Sequence, residues 1–199
     1  MIRTALIATL LFVLSACSLL PEREPLQIHV LPAASAEASP GPPIEATLRV
    51  EAPEANTLLA GSRILVMPTA QRMSVYEGAR WSDRTPPLLR DRLIEAFLQA
   101  GRLSSVLDES ARLEADVVLA SDLRAFHSEY VDGRPEVVIR LDARLEDATH
   151  QRLLASRRFE VREPSDAATV AAVVATFGRA ADRLARDLVE WSHEVIDTR

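Results

Sequence analysis

Val117-Val118-Leu119-Ala120-Ser121-Asp122-Leu123-Arg124-Ala125 is followed, beyond Asp132-Gly133, by Val137-Val138-Ile139-Arg140-Leu141-Asp142-Ala143-Arg144-Leu145. Val117, Leu119, Leu123 and Ala125 alternate with Asp116, Asp122 and Arg124. Val137, Ile139, Leu141, Ala143 and Leu145 alternate with Glu136, Arg140, Asp142, Arg144 and Glu146. A period of two places one set of side chains on each face of a strand, and Asp-Gly supplies the left-handed residues of a tight hairpin turn. A third segment, about Arg152 to Arg162, alternates less cleanly through Leu153, Ala155, Phe159 and Val161. The three make an antiparallel meander with one apolar and one solvated face. Opposite charges can pair across the solvated face at about 0.2–1 kcal/mol each, so it reads as a charged surface and not as a site.

An apolar sheet face needs a cover, and two helical patterns supply it. From about Asp166 to Val195, with Ser165 as N-cap, Val170, Val173, Val174, Phe177, Ala181, Leu184, Leu188, Trp191 and Val195 recur with the helical period. Arg179, Asp182, Arg183, Arg186, Asp187 and Glu190 lie opposite, a face too mixed in charge for a helix that lies on anionic lipid. The second pattern starts at Thr85 as N-cap, has Pro86 and Pro87 in its first turn and ends at Gly101, burying Leu89, Leu93, Ala96, Phe97 and Ala100. The fold class expected is α+β: an antiparallel sheet ending in a three-strand meander, one face covered by two amphipathic helices.

Upstream, Leu26-Ile28-Val30 alternates against Gln27-His29-Leu31 and reads as a strand, as do Glu45 to Val50 and Arg63 to Met67, the last stopped by Pro68. Pro32 to Pro43 is an Ala/Ser/Pro loop, Pro53 to Gly61 a short helical turn, and Met73 to Tyr76 an extension ahead of a loop over Glu77 to Trp81.

The chain's only cysteine, Cys17, follows Leu14-Ser15-Ala16. A basic Arg3, an apolar stretch from Ala5 to Leu14 and small residues before a cysteine make a bacterial lipoprotein signal. The stretch falls short of the about 20 residues that span a bilayer as a helix. Residues 1–16 are then the signal, 17–25 a lipidated tether and 26–199 a single domain. A cleaved secretory signal leaving a free thiol, or an uncleaved anchor, are the rivals. A solitary cysteine at the mature terminus can make no internal disulfide, and acyl chains there convert a soluble domain into an anchored one. Ser18 replaces the Asp of the best-known inner-membrane retention signal, which favours the periplasmic face of the outer membrane.

The formal net charge of −6, carried with arginine as the only cation besides histidine, excludes the basic face that nucleic acid requires. His29, His127, His150 and His193 fall in different segments without ligand spacing, and no phosphate loop, nucleophile elbow or metal-binding helix occurs. Neither a catalytic residue nor a metal ligand is assigned, and no cofactor is expected beyond the acyl and diacylglycerol groups on Cys17.

Arg63-Ile64-Leu65-Val66, then Val75-Tyr76-Glu77-Gly78-Ala79-Arg80-Trp81, then Pro86-Pro87-Leu88-Leu89 and Arg92-Leu93 give the chain a family likeness. In this order they resemble the ABC-type transport auxiliary lipoproteins of the paraquat-inducible intermembrane type, where an extended segment enters a Tyr-x-x-x-x-Trp loop ahead of a proline-flanked helix. The resemblance implies a non-enzymatic docking subunit of a mammalian-cell-entry-type system that moves lipids or other hydrophobic compounds between membranes. It implies substrate-binding and permease subunits as partners and leaves a homo-oligomer open. A structural lipoprotein assisting assembly of an outer-membrane complex is the alternative function. Tyr76 and Trp81 are the candidate partner-contact residues, since aromatics are enriched in interfaces; the alternative is that Trp81 pins its loop onto the core. For the anchor, Cys17→Ser should leave an unacylated precursor; intact mass after membrane fractionation checks this, and a mature acylated mutant would contradict it.

Overall fold

The computed structural model describes residues 25–33 and 41–199. The signal, Cys17 and most of the Ala/Ser/Pro loop lie outside the described residues. Nine strands and two helices follow in order among those described: β1 (Gln27–His29), β2 (Ile44–Val50), β3 (Glu54–Ala55), β4 (Arg63–Thr69), β5 (Arg72–Trp81), α1 (Thr85–Ala100), β6 (Leu103–Asp108), β7 (Val117–Val131), β8 (Arg134–Asp147), β9 (Arg152–Pro164) and α2 (Val170–Asp197).

The alternating stretches form the longest ladder. Asp132 and Gly133 have φ of 50° and 76°, both left-handed, and close the turn from which β7 and β8 pair antiparallel from Val131↔Arg134 to Val117↔Asp147. β8 pairs antiparallel with β9 on its far side. The other edge of β7 is shared by three strands, all parallel to it: β2 at Val117–Leu119, β3 at Asp122–Leu123 and β4 at Ser128–Glu129. β2 continues to β6, and β4 continues through β5 to β1. The sheet is therefore mixed, not antiparallel throughout. Alternation has the same period in both pairings, and the parallel partners lie far apart in sequence, so no hairpin signal marks them.

α2 lies over β8 and β9, and α1 packs beside α2 and against β6 and β2. Val173, Phe177, Ala181, Leu184 and Leu188 of α2 are buried with Leu119, Ile139, Leu141, Leu145 and Phe159 of the sheet. Each of the Val, Leu, Ile and Phe side chains contributes about 1.5–3 kcal/mol when fully buried. Arg92 of α1 and Asp182 of α2 are also buried, and Arg92 Nε donates to Asp182 Oδ1 over 2.8 Å. Arg92 Nη1 also donates to Glu95 Oε2 over 3.2 Å, so the buried guanidinium is paired on both helices and links them.

Several local expectations are corrected. Glu77–Trp81 is strand, because β5 pairs with both β4 and β1. Within the expected helical turn of Pro53 to Gly61, residues 54–55 form β3 and only 56–60 make a turn, Ala60 N donating to Asn56 O over 2.8 Å; β6 carries no signal in the sequence. Pro68 lies inside β4 and not beyond its end; the β4–β5 register is irregular there, so its missing N–H breaks no regular ladder. Thr85 is a helical residue, and its hydroxyl donates to Gly61 O over 3.1 Å in place of capping. Ser165 belongs to the β9–α2 turn, donating through N to Pro135 O, and Thr169 caps α2 by accepting from Ala172 N. Gly101 ends α1 at φ 68°.

One glycine matters to the N-terminal segment. A Cβ at Gly178 of α2 would lie 2.9 Å from Pro32 Cβ and 2.9 Å from Pro32 O. With β1 paired to β5, this close approach clamps the first described segment of the domain onto the fold.

His193 of α2 is 2% exposed, its Nε2 unpartnered and its ring edge-to-face with Phe97 at 6.0 Å. Burial, with help from the positive charge of Arg102, pushes its pKa down from 6.5 to about 4. The unfolded chain binds this proton first as pH falls, so the neutral histidine's stabilisation is complete above pH 6.5 and is lost on descent toward pH 4. The loss is on the order of 3 kcal/mol. His127, lowered in the same direction by burial, adds to the slope. His193→Phe should flatten the melting temperature between pH 6.5 and 4, as measured by calorimetry.

Candidate functional site

The segment Val75–Trp81 is built around a bulge. From Arg63 to Leu65 on β4 the chain advances two residues, while the partners run from Arg80 to Val75 on β5. Gly78 sits within the excess at φ 66°, a conformation that costs an L side chain about 1–2 kcal/mol. The bulge lets Tyr76 and Trp81 take up different environments.

Trp81 is 1% exposed. Its indole meets Phe177 of α2 at 5.2 Å and Phe126 of β7 at 6.0 Å, both edge-on, and those two rings stack at 4.8 Å. Its backbone N donates to Ser62 O. Trp81 is thus a core residue joining strand, strand and helix, and it presents no surface to a partner. Tyr76 is half-buried, and its hydroxyl lies 2.9 Å from Ser128 Oγ of β7. Burial raises the phenol's pKa, which keeps it neutral. The two residues do not form one contact loop.

Beside Tyr76 the register brings two hairpin turns together. β4 runs parallel to β7 with Met67 opposite Glu129, so the β4–β5 turn and the β7–β8 turn project from the same end of the sheet. Tyr130 and Val131 on the second turn are exposed. Neither was singled out in the sequence, where they continue an ordinary strand; a tyrosine next to an Asp-Gly turn is the signal that could have found them.

The sheet face away from the helices carries the charges. Arg158 Nη2 donates to Asp142 Oδ2 at 2.8 Å, Arg124 Nε to the same oxygen at 3.0 Å, Arg140 Nε to Glu160 Oε2 at 2.7 Å, and Arg162 Nη1 to Glu136 Oε1 at 2.9 Å. Arg140, then Arg162, hold Glu160 down at about 2, and Arg158 with Arg124 keeps Asp142 lower still. Carboxylates so held have no proton to give at neutral pH and no basicity to spare, so the ladder orders a surface. Among the described residues no group of three His, Cys, Asp or Glu could hold a metal ion. His29, His127, His150 and His193 stand in separate places; His150 Nδ1 lies 3.0 Å from Asp147 Oδ2 and His127 Nε2 lies 3.6 Å from Glu129 Oε2. Two clefts among the described residues are open to solvent, one of about 560 Å³ lined by Arg144, Glu146, Asp147 and Arg152 together with Val118 and Leu153, another of about 180 Å³ between Glu54, Asn56, Asp122 and Arg124. No described helix is long and apolar enough to cross a membrane.

Residues 29–189 match the model of the ABC-type transport auxiliary lipoprotein component family. The chain belongs to that family. The auxiliary lipoprotein is also 32% identical over 149 residues to an uncharacterized protein of Bradyrhizobium diazoefficiens, covering 75% of this chain and 40% of that protein. It therefore spans well under half the length of the curated relative it matches. A crystal structure from Xanthomonas campestris superposes with a TM-score of 0.79 at 31% identity, covering 86% of this chain and 98% of that one. A hypothetical protein of Chlamydia trachomatis shares the fold at a TM-score of 0.56 and 8% identity, over 78% of this chain and 99% of that one. The motif that carried the resemblance is a bulge and a core tryptophan, so what it identifies is the fold. Trp81→Ala should cost about 3–5 kcal/mol, seen as a large drop in denaturation midpoint.

Proposed function

We propose that this auxiliary lipoprotein is anchored through acylated Cys17 at the periplasmic face of the outer membrane and docks an ABC-type intermembrane transport system for lipids or other hydrophobic compounds. The observation that carries the reading is the family match over residues 29–189 downstream of a lipoprotein signal ending at Cys17. A lipid monomer cannot cross water unshielded, so such a route needs components held at each membrane. The folded domain supports a docking role more than a carrier role, since its buried apolar side chains form one packed core and both clefts are open to solvent.

The polarity of β5 supports the same arrangement. Its C-terminal end, Ala79–Trp81, pairs with β1, which follows the tether, and its N-terminal end at Arg72 forms the protruding turn beside Tyr130 and Val131. A module tethered at one end and presenting aromatic and apolar side chains at the other suits a subunit that receives a partner away from the membrane. Tyr76, packed beneath this tip, is the remaining contact candidate from the sequence, and Tyr130 is the more accessible ring.

Tyr130→Ser combined with Val131→Ser should lower co-purification of the system's substrate-binding subunit about tenfold, the loss of roughly 1.4 kcal/mol, without shifting the melting temperature. Undiminished co-purification would move the docking surface elsewhere. Failure of the wild-type protein to capture that subunit at all would reject the transport reading itself.

A further inference from the structure

β1 is an edge strand with an unusual surface. Leu26, Ile28 and Val30 are 53%, 57% and 67% exposed, a row of three apolar side chains alternating along five residues. His29, opposite buried Trp81, faces inward, so the alternation turns Ile28 and its two neighbours to the outer face of the sheet. On that face Ile28 is opposite Arg80 of β5, and Arg80 is opposite Arg63 of β4. Both arginines are exposed.

This arginine pair differs from the five arginines that build the charged ladder on β7, β8 and β9. Arg124, Arg140, Arg144, Arg158 and Arg162 each meet a carboxylate within 4 Å, whereas among the described residues neither Arg63 nor Arg80 does. Like charges directly opposite one another on neighbouring strands are destabilising. In a chain of net charge −6 there is no shortage of carboxylates to relieve them. Among the described residues the pair faces no carboxylate, and it borders an exposed apolar row.

Where the preceding chain ends decides what meets it. Nine residue steps separate Cys17 from Leu26, so even a fully extended tether reaches no more than about 30 Å. Pro32 against Gly178 and the β1–β5 ladder hold the row to the body of the domain. We infer that the β1 edge rests on the leaflet that carries the protein's own anchor, with Leu26, Ile28 and Val30 entering the interface and Arg63 and Arg80 binding anionic lipid headgroups. The inference rests on the proposed acylation of Cys17 and adds to it an orientation: the edge faces the bilayer, and the Tyr130–Val131 turn at the far end of β5 points away. Apolar burial together with cation–headgroup attraction is the combination that holds a surface at a bilayer.

The test uses the purified mature lipoprotein in vesicles of phosphatidylcholine and phosphatidylglycerol. Cys17 is the chain's only cysteine, so with its thiol acylated an Ile28→Cys variant takes a polarity-sensitive fluorophore at position 28 alone. The expected result is a blue shift and quenching by nitroxide lipid at least about threefold stronger than for the same label at Leu98→Cys on the exposed side of α1. Leu26→Cys reports in the same way where Ile28→Cys fails to fold. Arg63→Gln with Arg80→Gln should reduce the quenching at position 28 while leaving the melting temperature in solution equal or higher, because a repulsive pair has been removed. An aqueous signal at position 28 in protein of the correct acylated mass overturns the orientation and leaves the anchor standing. If intact mass shows no acyl groups, the anchor reading fails; the same protein should then still float with phosphatidylglycerol vesicles at low salt, and failure to float overturns the edge as well. A photocrosslinker at position 28 that captures a protein in intact envelopes, and not lipid, also overturns it.

Discussion

The architecture depends on one strand. β7 is hydrogen-bonded along one edge to β8 and along the other to β2, β3 and β4 in succession. Without its ladder the sheet would separate into the β8–β9 pair, the β2–β6 pair and the β4–β5–β1 group, and no other described strand joins all three. The bulge between Leu123 and Ala125 falls within this strand and shifts its alternation, so that Phe126, not Ala125, joins the core cluster with Trp81 and Phe177. The aromatic cluster thus ties the group that carries the N-terminal edge to the strand that carries everything else.

That dependence explains the chemistry of the surfaces. One face of the sheet packs beneath α1 and α2, with the Arg92–Asp182 pair linking the two helices. The opposite face is occupied by arginine–carboxylate pairs whose members hold one another charged. What remains for recognition lies at the ends: the paired turns near Tyr130, and the β1 edge where Ile28, Arg80 and Arg63 stand in a row. A family defined by packing residues can keep one fold and change these ends, because neither contributes to the core.

Part of this was legible. The Val117–Leu145 hairpin and its Asp132-Gly133 turn could be read because alternation and turn chemistry are local. Pro86, Pro87 and Gly101 bounded α1 for the same reason. The caps were misread by a few residues, since Thr85 and Ser165 make hydrogen bonds to Gly61 and Pro135, partners that only the folded chain brings near. The loop drawn between Tyr76 and Trp81 is strand, because the pairing that makes it so comes from β1 and β4 across a bulge.

The sequence by itself determined the address signal at Cys17, the charge balance, the meander's hairpin and the amphipathic stripes, because each depends on residues within a few positions of one another. Tertiary structure alone decided that the sheet is mixed, that Trp81 is buried against Phe126 and Phe177, and that Ile28, Arg80 and Arg63 share a face. Strand order and register are set by which surfaces can be buried together, and that competition is settled between segments distant in the chain, where no local pattern records its outcome.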